Sequence, residues 1–95
     1  LAVYKELDIT ATTGTVALTP QQAGATVITA TPTANMTITW PGCQPGKLIA
    51  ILNLAAATYS ITCEIAGNTS NTAVVAANTN AIVAHTGLNS GMAVV

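Results

Sequence analysis

Two Pro-Gly steps, Pro41-Gly42 and Pro45-Gly46, stand close together in the middle of the chain, and no regular element runs through them. Proline fixes φ and has no N–H to donate, while glycine opens φ > 0. A run that ends at Trp40 must therefore turn before Lys47. The densest apolar stretches lie on either side of this break. Before it, Met36, Ile38 and Trp40 alternate with Thr37 and Thr39, the pattern of a strand with one buried face and Trp40 as a core anchor. After it, apolar residues are nearly continuous from Lys47 to Leu54, which suits a strand covered on both faces. Tyr59, Ile61, Cys63 and Ile65 then alternate with Ser60, Thr62 and Glu64 as a second amphipathic strand. Residues 40–65 thus read as a hairpin-like centre. Leu and Ala favour helix over Lys47–Ala57, but the run is short and contains Ile49 and Ile51, which favour strand.

Similar punctuation divides the rest. Val3, Lys5, Leu7 and Ile9 alternate with Tyr4, Glu6 and Asp8 up to a turn at Thr12-Thr13-Gly14. Thr15–Leu18 is a short strand, followed by the polar loop Thr19–Gly24 and a strand over Ala25–Thr31. A turn at Thr31–Asn35 leads into the Met36–Trp40 strand. Beyond Ile65, a polar loop over Ala66–Asn71 precedes strands at Thr72–Ala77 and Asn80–His85, and Thr86–Gly91 turns into Met92–Val95. No repeat of solenoid length is visible. The expectation is an all-β chain: one small β-sandwich or jelly-roll-like domain of about eight or nine short strands. Residues 1–10 form its extended N-terminal arm or edge strand, and 11–95 its sandwich. Val3, Tyr4, Leu7 and Ile9 are the expected intersubunit contacts of that arm, because an edge strand is a ready template for another chain.

Charge is scarce: two lysines, Lys5 and Lys47, and three acids, Glu6, Asp8 and Glu64. Phosphate binding draws on clustered Lys and Arg, so neither nucleic acid nor an anionic membrane surface is an expected partner. No apolar run reaches the eighteen or so residues of a membrane helix. Leu1 in place of methionine is expected of a processed terminus.

The same scarcity limits chemistry. His85, the single histidine, is expected at a strand end facing solvent or a neighbouring chain. None of Ser60, Ser70 and Ser90 stands in a Gly-x-Ser-x-Gly elbow. The three acids show no spacing that pairs them for glycoside hydrolysis or gathers them into a calcium loop. Cys43 and Cys63 have no partners for a zinc site and are expected to be free thiols, Cys63 buried and Cys43 in a turn. Asn35-Met36-Thr37 and Asn68-Thr69-Ser70 match the glycosylation acceptor pattern, which an Asn- and Thr-rich chain produces by chance. No cofactor and no catalytic group is expected.

The second half has an apolar strand after Pro45-Gly46-Lys47, the Tyr59–Ile65 strand, the Ala66-Gly67-Asn68-Thr69 loop, and Asn80-Ala81-Ile82-Val83-Ala84 before Gly87. In cadence and composition it resembles the small β-sandwich proteins of tailed-phage virions, above all the head decoration, or cement, proteins. The resemblance covers residues 36–95. It implies a non-enzymatic homotrimer on the virion surface that reinforces the lattice of the major capsid protein. A charge-poor surface, cheap to desolvate against neighbours, is compatible with that. Two alternatives belong to other classes. One is a subunit of an extracellular filament assembled by strand exchange. The other is a carbohydrate-binding module, which needs exposed aromatics from among Tyr4, Trp40 and Tyr59.

Overall fold

A computed structural model of the protein describes residues 6–10, 13–87 and 90–95. Nine strands follow in order: β1 (Glu6–Thr10), β2 (Gly14–Ala17), β3 (Val27–Thr31), β4 (Met36–Trp40), β5 (Leu48–Asn53), β6 (Ile61–Ile65), β7 (Asn68–Val75), β8 (Thr79–Thr86) and β9 (Gly91–Val94). One 3-10 turn, Gln22–Gly24, interrupts the connection between β2 and β3. It is held by reciprocal bonds, Thr19 N–H to Gln22 Oε1 at 2.9 Å and Gln22 N–H to Thr19 Oγ1 at 3.2 Å, the two-way arrangement of a capping box.

The strands form two layers, a five-stranded sheet in the order β1-β3-β5-β8-β9 and a four-stranded sheet in the order β2-β4-β6-β7. The chain is an all-β sandwich, as its alternation indicates. Its connectivity is not visible in that alternation. The first six strands pass from one sheet to the other at every step, so that β1, β3 and β5 stack in parallel in one layer and β2, β4 and β6 in the other. Glu6 faces Val27, which faces Ala50, and Gly14 faces Met36, which faces Ile61, so each coil takes roughly 20 to 25 residues, a repeat of solenoid length. The last three strands close the stack with antiparallel pairs, β7 on β6, β8 on β5 and β9 on β8.

Several sequence expectations change here. β5 and β6 are not a hairpin: they lie in opposite layers, joined by a crossing at residues 54–60. The coil repeat carries no sequence repeat because only inward parity is conserved between coils, while lengths and side chains differ. β5 is a strand with one buried face, Ile49, Ile51 and Asn53, and its other face opens to solvent, with Leu48 56 % exposed. The polar loop expected over Ala66–Asn71 shrinks to a turn at Ala66-Gly67, where Gly67 takes φ 81°, and β7 begins at Asn68. Polar residues enter the ladder there because that end of β7 is largely exposed.

Between the layers lies one core. Ile28 and Ala30 of β3, Ile49 and Ile51 of β5 and Val83 of β8 face Ile38 and Trp40 of β4, Ile61 and Cys63 of β6 and Val75 of β7. Each fully buried Ile or Val contributes about 1.5–3 kcal/mol. Asn53, fully buried, sits on this inward face with its amide satisfied: Nδ2 donates to Tyr59 O at 3.0 Å and Val75 O at 3.2 Å, and Oδ1 accepts from Ala55 N–H at 3.0 Å. It ties the end of β5 to the crossing and to the opposite sheet.

Candidate functional site

At one end of the sandwich the layers part around a cleft of about 330 Å³. Its wall joins the end of β4, the end of β8, the Pro41–Gly46 loop and the Pro20–Ala23 turn. The Pro-Gly steps force the chain out of β4, and the emerging loop is pinned to the end of β8. Gly46, at φ 87°, donates its N–H to His85 O at 3.0 Å, and His85 N–H donates to Lys47 O at 2.9 Å. Gln44 N–H donates to His85 Nδ1 at 2.9 Å, and Cys43 Sγ donates to Thr86 O at 3.5 Å.

His85 is therefore not a solvent-facing strand end. It is 2 % exposed, on the inward parity of β8 with Val83, and its ring meets Trp40 from the facing sheet edge-on, centroids 5.9 Å apart at 84°. Such a pair adds about 0.5–1.5 kcal/mol beyond area burial. Burial, and secondly the charge of Lys47, hold its pKa below the ordinary 6.5, so the ring is neutral at pH 7. With Nδ1 accepting from Gln44, the proton of the neutral ring sits on Nε2. Neither that Nε2 nor Trp40 Nε1 has a hydrogen-bond partner, although both are buried. Among the described residues only three buried side-chain polar atoms lack a partner, and two of them belong to this one cleft. Each costs about 1–3 kcal/mol when left unpaired. Lys47 leans over the same region, its ammonium donating to the carbonyl of Ala23.

The cleft wall contains no carboxylate, Cys43 gives its S–H to a backbone carbonyl, and the imidazole lone pair is taken by Gln44. Cys63 is far from reactive: burial pushes its thiol up to about 12, and both cysteines are free, as their spacing and number suggest. No three His, Cys, Asp or Glu side chains come together among the described residues, and no helix among them is long and apolar enough to cross a membrane.

Of the expected contact residues, Val3 and Tyr4 lie outside the described residues. Leu7 and Ile9 face inward from β1, opposite Ile28 and Ala30, and pack half-buried against the core. β1 is the outermost strand of its sheet. Leu7 also lines a second hollow, about 370 Å³, with Glu6, Gln21, Gln22 and Ala25. It is slightly the larger of the two but contains no unpartnered buried group. The cleft residues Trp40, Cys43, Gln44 and His85 were not singled out together by sequence, although the alternation Ala81, Val83, His85 already places the histidine on an inward face.

A second surface stands out on the outside of the five-stranded sheet. Register aligns Ala50 with Ile82 and Leu48 with Ala84, and Ala84 with Ala93 on β9, and Leu52 follows Ala50 on the same face of β5. Leu48 is 56 % and Ile82 42 % exposed. The charges described on this face, Glu6 and Asp8, stand at its margin on β1. The four-stranded sheet instead turns Thr15, Thr37, Thr39, Thr62 and Glu64 outward, with Thr39 Oγ1 donating to Glu64 Oε1 at 3.0 Å. No protein-family model, no curated protein and no solved structure matches the chain.

Proposed function

We propose that this chain is a non-enzymatic structural protein that associates with itself and attaches to a larger symmetric assembly, the head of a virus, in the manner of a decoration protein. The observation that carries the reading is the apolar patch of Leu48, Ala50, Leu52, Ile82 and Ala84 on the outer face of the five-stranded sheet. Isolated exposed Leu or Ile side chains need no explanation, but an apolar patch shared by neighbouring strands, with the charges of its face confined to one margin, marks a contact surface. A repeated single-domain β protein buries such a patch most readily in a closed cyclic contact, and the likeness to cement proteins favours three copies. Leu7 and Ile9, partly exposed on the outermost strand of the five-stranded sheet, add apolar surface at the β1 edge. The carbohydrate-binding alternative gains nothing here, since Trp40 is 1 % exposed and cannot offer a stacking platform.

Light scattering on the purified chain, followed by mixing with undecorated heads from its own source, tests the reading. A trimer that cosediments with the heads is expected. A stable monomer that leaves the heads bare would overturn it.

A further inference from the structure

We propose that the cleft between Trp40 and His85 is a binding site for a small carboxylate with a short apolar body. The unpartnered hydrogen-bonding groups of the cleft wall are both donors. Trp40 Nε1–H is a donor by its chemistry, and His85 Nε2–H is a donor because Nδ1 already accepts from Gln44 at 2.9 Å. Both are buried, both lack a partner, and their rings meet edge to face with centroids 5.9 Å apart. The ammonium of Lys47 sits at the adjoining Ala23, with two of its three protons left over after that bond. The site therefore presents donors and positive potential, and its wall contains no carboxylate to answer them.

What such a site accepts is a group with two oxygens and a negative charge, so that each N–H finds its own acceptor. Pro20, Pro41, Ala23 and the indole complete an apolar wall, which suits a short hydrocarbon body behind the carboxylate. At about 330 Å³ the volume is at the small end of ligand pockets, which excludes an extended chain. The Pro41–Gly46 loop forms the roof, and Gly42 stands in open space. Both N–H groups are closed to solvent, so binding requires the two rings to turn their N–H groups toward the cleft while Gln44 keeps its bond to His85 Nδ1.

The chain contains one tryptophan and one histidine, so each side-chain N–H gives a single NMR signal and the intact protein serves as its own probe. Titration with propionate is expected to move the indole N–H and the His85 ring signals saturably and with a common midpoint, while sodium chloride at equal ionic strength leaves them in place. An indole signal that stays fixed throughout, or that moves equally with chloride, overturns the proposal, as does movement confined to other residues. Trp40→Phe keeps an aromatic ring in the core and removes the donor together with part of the indole. It is expected to weaken propionate binding about tenfold, read on the His85 signals, and an unchanged midpoint in a folded Trp40→Phe protein counts equally against the site. Should that variant not fold, the titration of the parent protein decides alone.

Discussion

Asn53 interrupts an apolar run and, on composition alone, marks where a strand weakens. Buried among isoleucines, it instead satisfies Ala55 N–H, Tyr59 O and Val75 O with a single side chain. Asn53→Ala leaves those three backbone groups unpaired, and we expect a loss of about 3 kcal/mol, which in a domain of this size lowers the melting temperature by roughly 10–20 °C. Thermal unfolding by circular dichroism measures it, and a melting point within a few degrees of the parent would show that water replaces the bonds at no cost. His85 makes a prediction of opposite origin. Its folded pKa lies below 6.5 through burial and then the Lys47 charge, so the native state favours the neutral ring. Above pH 6.5 that contribution is fully present. As pH falls below 6.5 the unfolded chain takes up the proton first, and stability drops until the native ring is protonated too. The melting temperature is expected to fall as the pH drops through about 6.5 and below, where the unfolded histidine charges and the native one stays neutral. A flat profile in that window would contradict the assignment of His85 as a buried neutral ring.

At the scale of elements, alternation told which segments are strands and which of their faces go inward. Met36, Ile38 and Trp40, and Ile61, Cys63 and Ile65, face inward as their spacing indicates. Pairing was not legible, because alternation is identical for parallel and antiparallel neighbours. The crossing at residues 54–60 looks like a hairpin loop until the register of β5 with β3 and of β6 with β4 is known. The cleft stayed hidden for the same reason. Trp40 and His85 lie far apart in sequence, and only the layering brings their rings together. β1 carries the element-scale prediction. Its charges, Glu6 and Asp8, point outward from an outer strand, a placement that discourages uncontrolled edge pairing, while Leu7 and Ile9 add to the core. Removing residues 1–10 is expected to leave a cooperative but less stable sandwich, with β3 as its new edge, and to weaken association. Denaturant titration reads the first effect and light scattering the second. Complete loss of cooperative unfolding would mean that the first coil is required for the others to form.

For the molecule as a whole, the contrast between its two outer faces is the main asymmetry. One is rich in threonine, with Val74 its 54 % exposed exception, and the other has an apolar centre, with Leu48 and Ile82 both more than two-fifths exposed, bordered by Thr29 and Asn80. Ile82→Asp places a charge at the centre of the apolar face without touching the core, so surface substitution rules predict a stability change of about 0.5 kcal/mol or less. Association, however, should fall sharply, since the charge must be desolvated on contact. Sedimentation velocity on the folded variant decides. An unchanged oligomer would move the contact surface elsewhere, to the threonine face or the β1 edge. The coil-wise path of the first six strands has another consequence, for how such a chain can change length. Each turn of the coil adds one strand to each layer and hands the chain on in the same direction. An inserted or deleted turn would therefore lengthen or shorten the stack by about 4.8 Å while the antiparallel closure at β7–β9 stays as it is. Growth by whole turns makes the height of the molecule a variable that duplication can adjust in fixed steps, each step also adding one strand's width to both outer faces.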